Sequence, residues 1–106
     1  MKEFIVVLVA CSSMEEAEKI GNSLVEKKMA ACVNVVPEIK SIFHWKGKVS
    51  REKEILLIAK SRTELFDSIK NEVKKLHSYE VPEIIALPIE AGSGKYLGWI
   101  REETQK

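Results

Sequence analysis

Phe4-Ile5-Val6-Val7-Leu8-Val9 is an unbroken run of apolar, mostly β-branched residues. A strand with one face in water would alternate apolar and polar residues. This run does not, so it reads as a strand buried on both faces and central in its sheet. Immediately beyond it, Ser13-Met14-Glu15-Glu16 places Ser at a cap and Glu three residues on, the pattern of a capping box. Met14, Ala17, Ile20 and Leu24 follow at helical spacing and predict a helix to about Met29.

The stretch from Ala30 to Lys60 is long and extended. Ala31, Val33 and Val35 alternate with Cys32, Asn34 and Val36, and Pro37 then demands an edge strand or a bulge. Ile39, Ser41, Phe43 and Trp45 continue one face, Lys46-Gly47 signals a turn, and strand pattern resumes to Ala59. Ser61-Arg62-Thr63-Glu64 repeats the capping-box pattern ahead of Leu65, Ile69, Val73 and Leu76, the apolar stripe of a second helix. Val81 to Ile89 reads as a fourth strand, Gly92-Ser93-Gly94 as a break, and Tyr96 to Glu103 as a short C-terminal helix. The order β-α-β-β-α-β with right-handed crossovers predicts an α+β, ferredoxin-like split βαβ sandwich, a single domain over residues 1–106.

Lengths add a further point. The first strand has about eight residues, roughly 26 Å of chain, whereas the second and third have about fourteen each, roughly 46 Å. Their hairpin must therefore protrude from the subunit. Its outer half carries Ile42, Phe43 and Trp45. A two-stranded arm is marginal alone and a group of exposed aromatics is costly, so these three residues are expected to pack on another subunit.

With 17 Lys+Arg against 16 Asp+Glu in 106 residues, the chain has no electrostatic footprint for nucleic acid or an anionic membrane. The longest apolar run, Phe4 to Cys11, is far too short to span a bilayer, and no secretory signal pattern opens the chain. Cys11 and Cys32 are too few for a disulfide framework, which fits a reducing, cytoplasmic setting. The charges are almost all Lys and Glu, and Gln105 is the only Gln, a bias expected of a heat-stable protein.

No catalytic constellation stands out, so the chain reads as a non-enzymatic module. Gly92-Ser93-Gly94-Lys95 is similar to a phosphate loop, but Ile89 occupies the place of its first Gly and Tyr96 that of its Ser/Thr. The central strands lack the aromatics with which an RNA-binding sheet of this fold stacks bases. Candidate metal ligands are His44 on the arm, His77 at the end of the second helix, and the two cysteines. Topology places Cys11, where the first strand ends, at the same pole as His77, with Cys32 at the opposite pole. Cys11, facing a loop, should be a partly exposed thiol, and Cys32 a small core residue. A Cys11–His77 pair suits copper, with Glu80 and Glu83 the nearest candidates to complete the shell; copper is then a bound ion rather than a required cofactor.

Leu24-Val25-Glu26-Lys27-Lys28-Met29-Ala30-Ala31-Cys32-Val33-Asn34, then Trp45-Lys46-Gly47-Lys48, then His77-Ser78-Tyr79-Glu80-Val81-Pro82-Glu83-Ile84-Ile85-Ala86-Leu87-Pro88-Ile89 closely resemble the CutA family of divalent-cation tolerance proteins. Tyr96-Leu97-Gly98-Trp99-Ile100 fits as well. The resemblance implies a ferredoxin-like subunit and a homotrimer whose hairpins extend one sheet into the next. It also implies a part in tolerance to copper and other divalent metals, with no established enzymatic activity. Ser78 departs from the family's usual Pro, and Leu76 from the first of two adjacent histidines that some relatives carry. A competing expectation is a signalling trimer, like the similarly folded PII regulators, that binds an anionic metabolite between subunits through Lys60, Tyr79 and Lys95.

Overall fold

The structure is a computed structural model and describes residues 2–104. Four strands, β1 (Phe4–Cys11), β2 (Cys32–Trp45), β3 (Lys48–Arg62) and β4 (Ile84–Pro88), form one antiparallel sheet in the order β2-β3-β1-β4. Three helices accompany it: α1 (Met14–Glu26), α2 (Phe66–Leu76) and α3 (Gly94–Glu103). This is the ferredoxin-like α+β arrangement, with β1 central as its apolar run requires.

One face of β1 and β3 meets α1 and α2. Ile5, Val7, Val9, Leu57 and Ala59 from the sheet pack against Ala17, Ile20, Leu24, Leu65, Ile69 and Val73. The other face is covered only in part: Phe4 and Ala31 close under Ile100 of α3, while Val6 and Leu8 stay half-buried. Burial of the first strand is therefore complete on the helix side alone.

The hairpin of β2 and β3 leaves the body where the register shifts between Val36 and Ile39, a bulge at Pro37 and Glu38. The last β1 partner of β3 is Ile55, opposite Cys11, so among the described residues the two strands pair only with each other from Ile39 and Glu54 outward. The arm stretches the molecule to 44 × 25 × 23 Å. Lys46 and Gly47 turn it with φ of 51° and 77°, as a two-residue type I′ loop requires.

Several boundaries differ from the expectation. The chain leaves α1 at Glu26, because Lys28 adopts φ 59° and the Met29 and Lys28 amides bond back to Leu24 and Val25 oxygens at 2.9 and 3.0 Å, closing a Schellman motif. Ser61 caps nothing: it is buried in β3 and its hydroxyl donates to the Met29 oxygen, while a 3₁₀ turn (Thr63–Leu65) leads into α2. β4 begins at Ile84 rather than Val81, and α3 begins at Gly94 rather than Tyr96. The cysteines exchange places in burial: Cys11 is fully buried, since α1 and α2 close over the end of β1, and Cys32 on edge strand β2 is only half-buried.

Candidate metal centre

Three elements end at one pole of the sheet. β1 delivers Cys11, the first turn of α1 delivers Glu16, and the C-cap of α2 delivers His77. Their ligand atoms, one from each residue, lie within 4.8 Å of one another. Cys32 sits at the far pole, opposite Lys60 on β3.

Each member is fixed by hydrogen bonds. Ser13 caps α1 by accepting from the Glu16 amide at 3.1 Å. The Glu16 carboxylate turns away from Ser13. Its Oε1 lies 3.4 Å from both the amide and the hydroxyl of Ser12, and its Oε2 accepts the Ser78 amide at 2.8 Å. The His77 ring is buried; Nδ1 accepts the Tyr79 amide at 3.0 Å, so Nε2 carries the hydrogen that meets the Ala10 carbonyl at 2.6 Å. His77 Nδ1 and Glu16 Oε1 are 3.7 Å apart.

The electrostatics of this pole are anionic. Burial, helped by the Glu16 and Glu54 charges, pushes the Cys11 thiol up to about 12. Burial would also raise the Glu16 carboxyl, but the bonds from Ser78 and Ser12, with the nearby His77 ring, outweigh it and hold Glu16 below the usual carboxylate range. The Tyr79 ring lies tilted against the His77 ring, centroids 4.8 Å apart, and its hydroxyl donates to Glu54 at 2.8 Å. Burial first, then that bond, push the Tyr79 phenol up to about 12.

Beside this cluster the arm and the loop after α2 border an open groove of about 840 Å³. Ile42, Phe43 and Trp45 line it, as do Glu80 and Glu83. Neither Glu80 nor Glu83 belongs to the cluster, whose third donor is Glu16. Sequence reasoning missed Glu16 because the capping pattern already accounted for it. Lys60, Tyr79 and Lys95 do not meet within one chain. Lys60 lies in β3 opposite Val6 and Cys32 and donates to Asn34, and Lys95 is exposed on the first turn of α3, whose Leu97 and Ile100 pack against Phe4. Both are remote from the pole of Tyr79.

Residues 5–103 match the family model described as CutA1 divalent ion tolerance protein. The chain belongs to the CutA1 family. It is 50% identical over 99 residues to the divalent-cation tolerance protein CutA of Thermus thermophilus, covering 93% of this chain and 96% of that protein. It is 42% identical over 97 residues to human Protein CutA, covering 92% of this chain but only 54% of the human protein's length. Among solved structures, the Thermus thermophilus Cut A1 protein superposes with a TM-score of 0.94 at 48% identity, covering 96% of this chain and 99% of that one. CutA1 from Oryza sativa gives 0.95 at 44% identity, covering 99% and 96%. No helix among the described residues of this CutA1 chain is long and apolar enough to cross a membrane.

Proposed function

We propose that this CutA1 chain serves divalent-cation tolerance as a homotrimer that binds copper or a similar transition metal at the Cys11–Glu16–His77 pole. The observation that carries this reading is the convergence of a thiol, a carboxylate and an imidazole from three separate elements within 4.8 Å. The donor set fits such an ion. Thiolate and imidazole favour copper or zinc over magnesium or calcium, and the carboxylate adds charge. The His77 Nε2–H is anchored on the Ala10 carbonyl, the outer bond that orients a ligating imidazole, which leaves Nδ1 as its ligand atom. Three donors leave a position for water, or for Glu80 or Glu83 moving in from the groove. Cys11 must give up its proton to ligate.

The trimer rests on the arm. Ile42 and Trp45 are each 61% exposed and Phe43 38%, an apolar cluster on a limb whose strands pair with no other strand among the described residues. Cys11 and Cys32, unpaired and at opposite poles, support the reading of a reducing compartment such as the cytoplasm. The role is binding, with no catalytic step.

Anaerobic titration calorimetry with copper(I), and with cobalt(II) followed by its thiolate charge-transfer absorption, tests the site. Binding should be saturable in the parent protein, be lost or sharply weakened in Cys11→Ser and His77→Ala, weaken in Glu16→Gln, and persist in Cys32→Ser. Loss in Cys32→Ser alone, or full binding in the first two variants, overturns the placement. One observation favours a second reading, an anionic metabolite held between subunits: Lys60 is half-buried with only the Asn34 amide oxygen as partner among the described residues. A metabolite-dependent rise in melting temperature that Lys60→Met abolishes would establish it.

A further inference from the structure

The chain leaves α2 at His77, whose ψ of 142° sends the next residues away from the helix axis. The two amides that follow both point back into the cluster. Ser78 N–H donates to Glu16 Oε2 at 2.8 Å, and Tyr79 N–H donates to His77 Nδ1 at 3.0 Å. Two successive N–H dipoles thus rest on the lone pairs of Glu16 and His77 that a bound cation would use. Backbone N–H groups arranged this way carry partial positive charge, so the turn stands in for a cation in the free protein.

Tyr79 links this turn to the arm. Its ring lies against His77, and its hydroxyl reaches Glu54 on β3. Glu54 is only 7% exposed, and it lines the groove with Glu52, Glu80 and Glu83 opposite Phe43 and Trp45. The hydroxyl of Tyr79 is the donor that neutralises part of this buried carboxylate's demand.

We infer that the Ser78–Tyr79 turn is a displaceable plug, and that metal occupancy of the Cys11–Glu16–His77 centre is coupled through Tyr79 to the acidic groove along the arm. This rests on the metal-binding reading above. His77 cannot give its Nδ1 lone pair to a cation while it accepts the Tyr79 amide, because the ring's other nitrogen carries its hydrogen toward Ala10. Ligation therefore releases the Tyr79 amide. Tyr79 shifts with it, and the hydroxyl leaves Glu54. Glu54 then presents an unpaired charge to a groove that already holds three other carboxylates, which changes what the arm can pack against. Coupling of this kind is reciprocal: whatever strengthens the Tyr79–Glu54 bond weakens metal affinity, and whatever removes the bond strengthens it.

The test is zinc titration of the parent protein and of Tyr79→Phe, followed by calorimetry and by the ¹⁵N amide resonances. Tyr79→Phe keeps the ring and the amide and deletes only the hydroxyl, and its amide spectrum reports whether it folds. We expect Tyr79→Phe to bind zinc about three- to tenfold more tightly, the range set by one hydrogen bond's net contribution. In the parent protein the Ser78 and Tyr79 amide resonances should move on saturation together with the Trp45 indole. Binding that requires Cys11 and His77, but is equal or weaker in Tyr79→Phe with unmoved Ser78 and Tyr79 amides, overturns the coupling and leaves the centre intact. No saturable zinc binding by the parent protein overturns both.

Discussion

Replacing Trp45 by Ala should dismantle the proposed trimer without unfolding the subunit. Trp45 stands at the end of β2, beside the arm's turn, 61% exposed, with the Lys46 ammonium over its ring at 5.7 Å. A Trp side chain offers up to ~250 Å² of surface, so about 150 Å² remains to be covered by a partner. At ~25 cal/mol per Å² that burial contributes roughly 3–4 kcal/mol for each subunit. The ordering costs of assembly are common to parent and variant and cancel in the difference. Three copies give about 10 kcal/mol, close to seven decades in the trimer's dissociation constant at ~1.4 kcal/mol per decade. The midpoint concentration of a monomer–trimer equilibrium follows the square root of that constant, so it should rise by roughly three and a half decades. Sedimentation velocity over a dilution series measures it, with Val25→Ala, an exposed apolar residue on α1 remote from the arm, as the control. A parent protein that sediments as a 12.0 kDa monomer at micromolar concentration would refute the reasoning, as would an unshifted midpoint in Trp45→Ala.

Glu72, 4% exposed on α2, accepts from Lys27 Nζ at 2.8 Å and from Ser23 on α1. These bonds hold its carboxyl below the ordinary value, so its stabilisation is complete above the unfolded pKa of about 4.3 and disappears as pH falls through the lower folded value. Glu72→Ala should cost about 1–3 kcal/mol at pH 7, and the gap in melting temperature between parent and variant should close as pH falls below 4, which calorimetry reads directly. Lys28→Gly relieves a left-handed residue at φ 59° and sacrifices the exposed Glu103 pair, so it should stabilise by about 0.5–1 kcal/mol and raise the melting temperature by a few degrees. The parent protein should melt above about 65 °C, the upper edge for mesophile domains, at a temperature that rises with protein concentration; a lower, concentration-independent melt would contradict both the charge bias and the trimer.

The parts of the fold that local physics dictates were legible. An apolar run without alternation belongs at the centre of a sheet, and β1 lies there. A proline in a strand calls for an edge or a bulge, and at Pro37 the structure has both. The arm's protrusion followed from chain length alone. What escaped was decided by long-range contact. Ser61 satisfied a capping pattern, yet its hydroxyl bonds to Met29, 32 residues away, inside the body of the protein. The end of α1 was hidden because Lys28 does the work usually left to Gly. Val81 and Pro82 look like strand residues, but the segment before β4 is held to the cluster through Ser78 and Tyr79, and Val81 is left 87% exposed.

The site divides the same way. Cys11 and His77 could be brought together from topology, since a strand's end and the end of the second helix share a pole in this fold. Glu16 could not, because its carboxylate is claimed by Ser78, 62 residues on, while only its amide obeys the local Ser-x-x-Glu pattern. Its presence changes the chemistry. A buried thiol near the Glu16 and Glu54 charges keeps its proton, and at about 12 it is inert as a nucleophile at neutral pH. The same two charges favour any cation that reaches the pole, and a cation is what would reverse the thiol's preference. Burial is the main cause that silences Cys11 in the free protein, and the two charges that reinforce it would also favour ligation of an arriving ion, so removing Glu16 should ease deprotonation of Cys11 while weakening the proposed centre's hold on a metal.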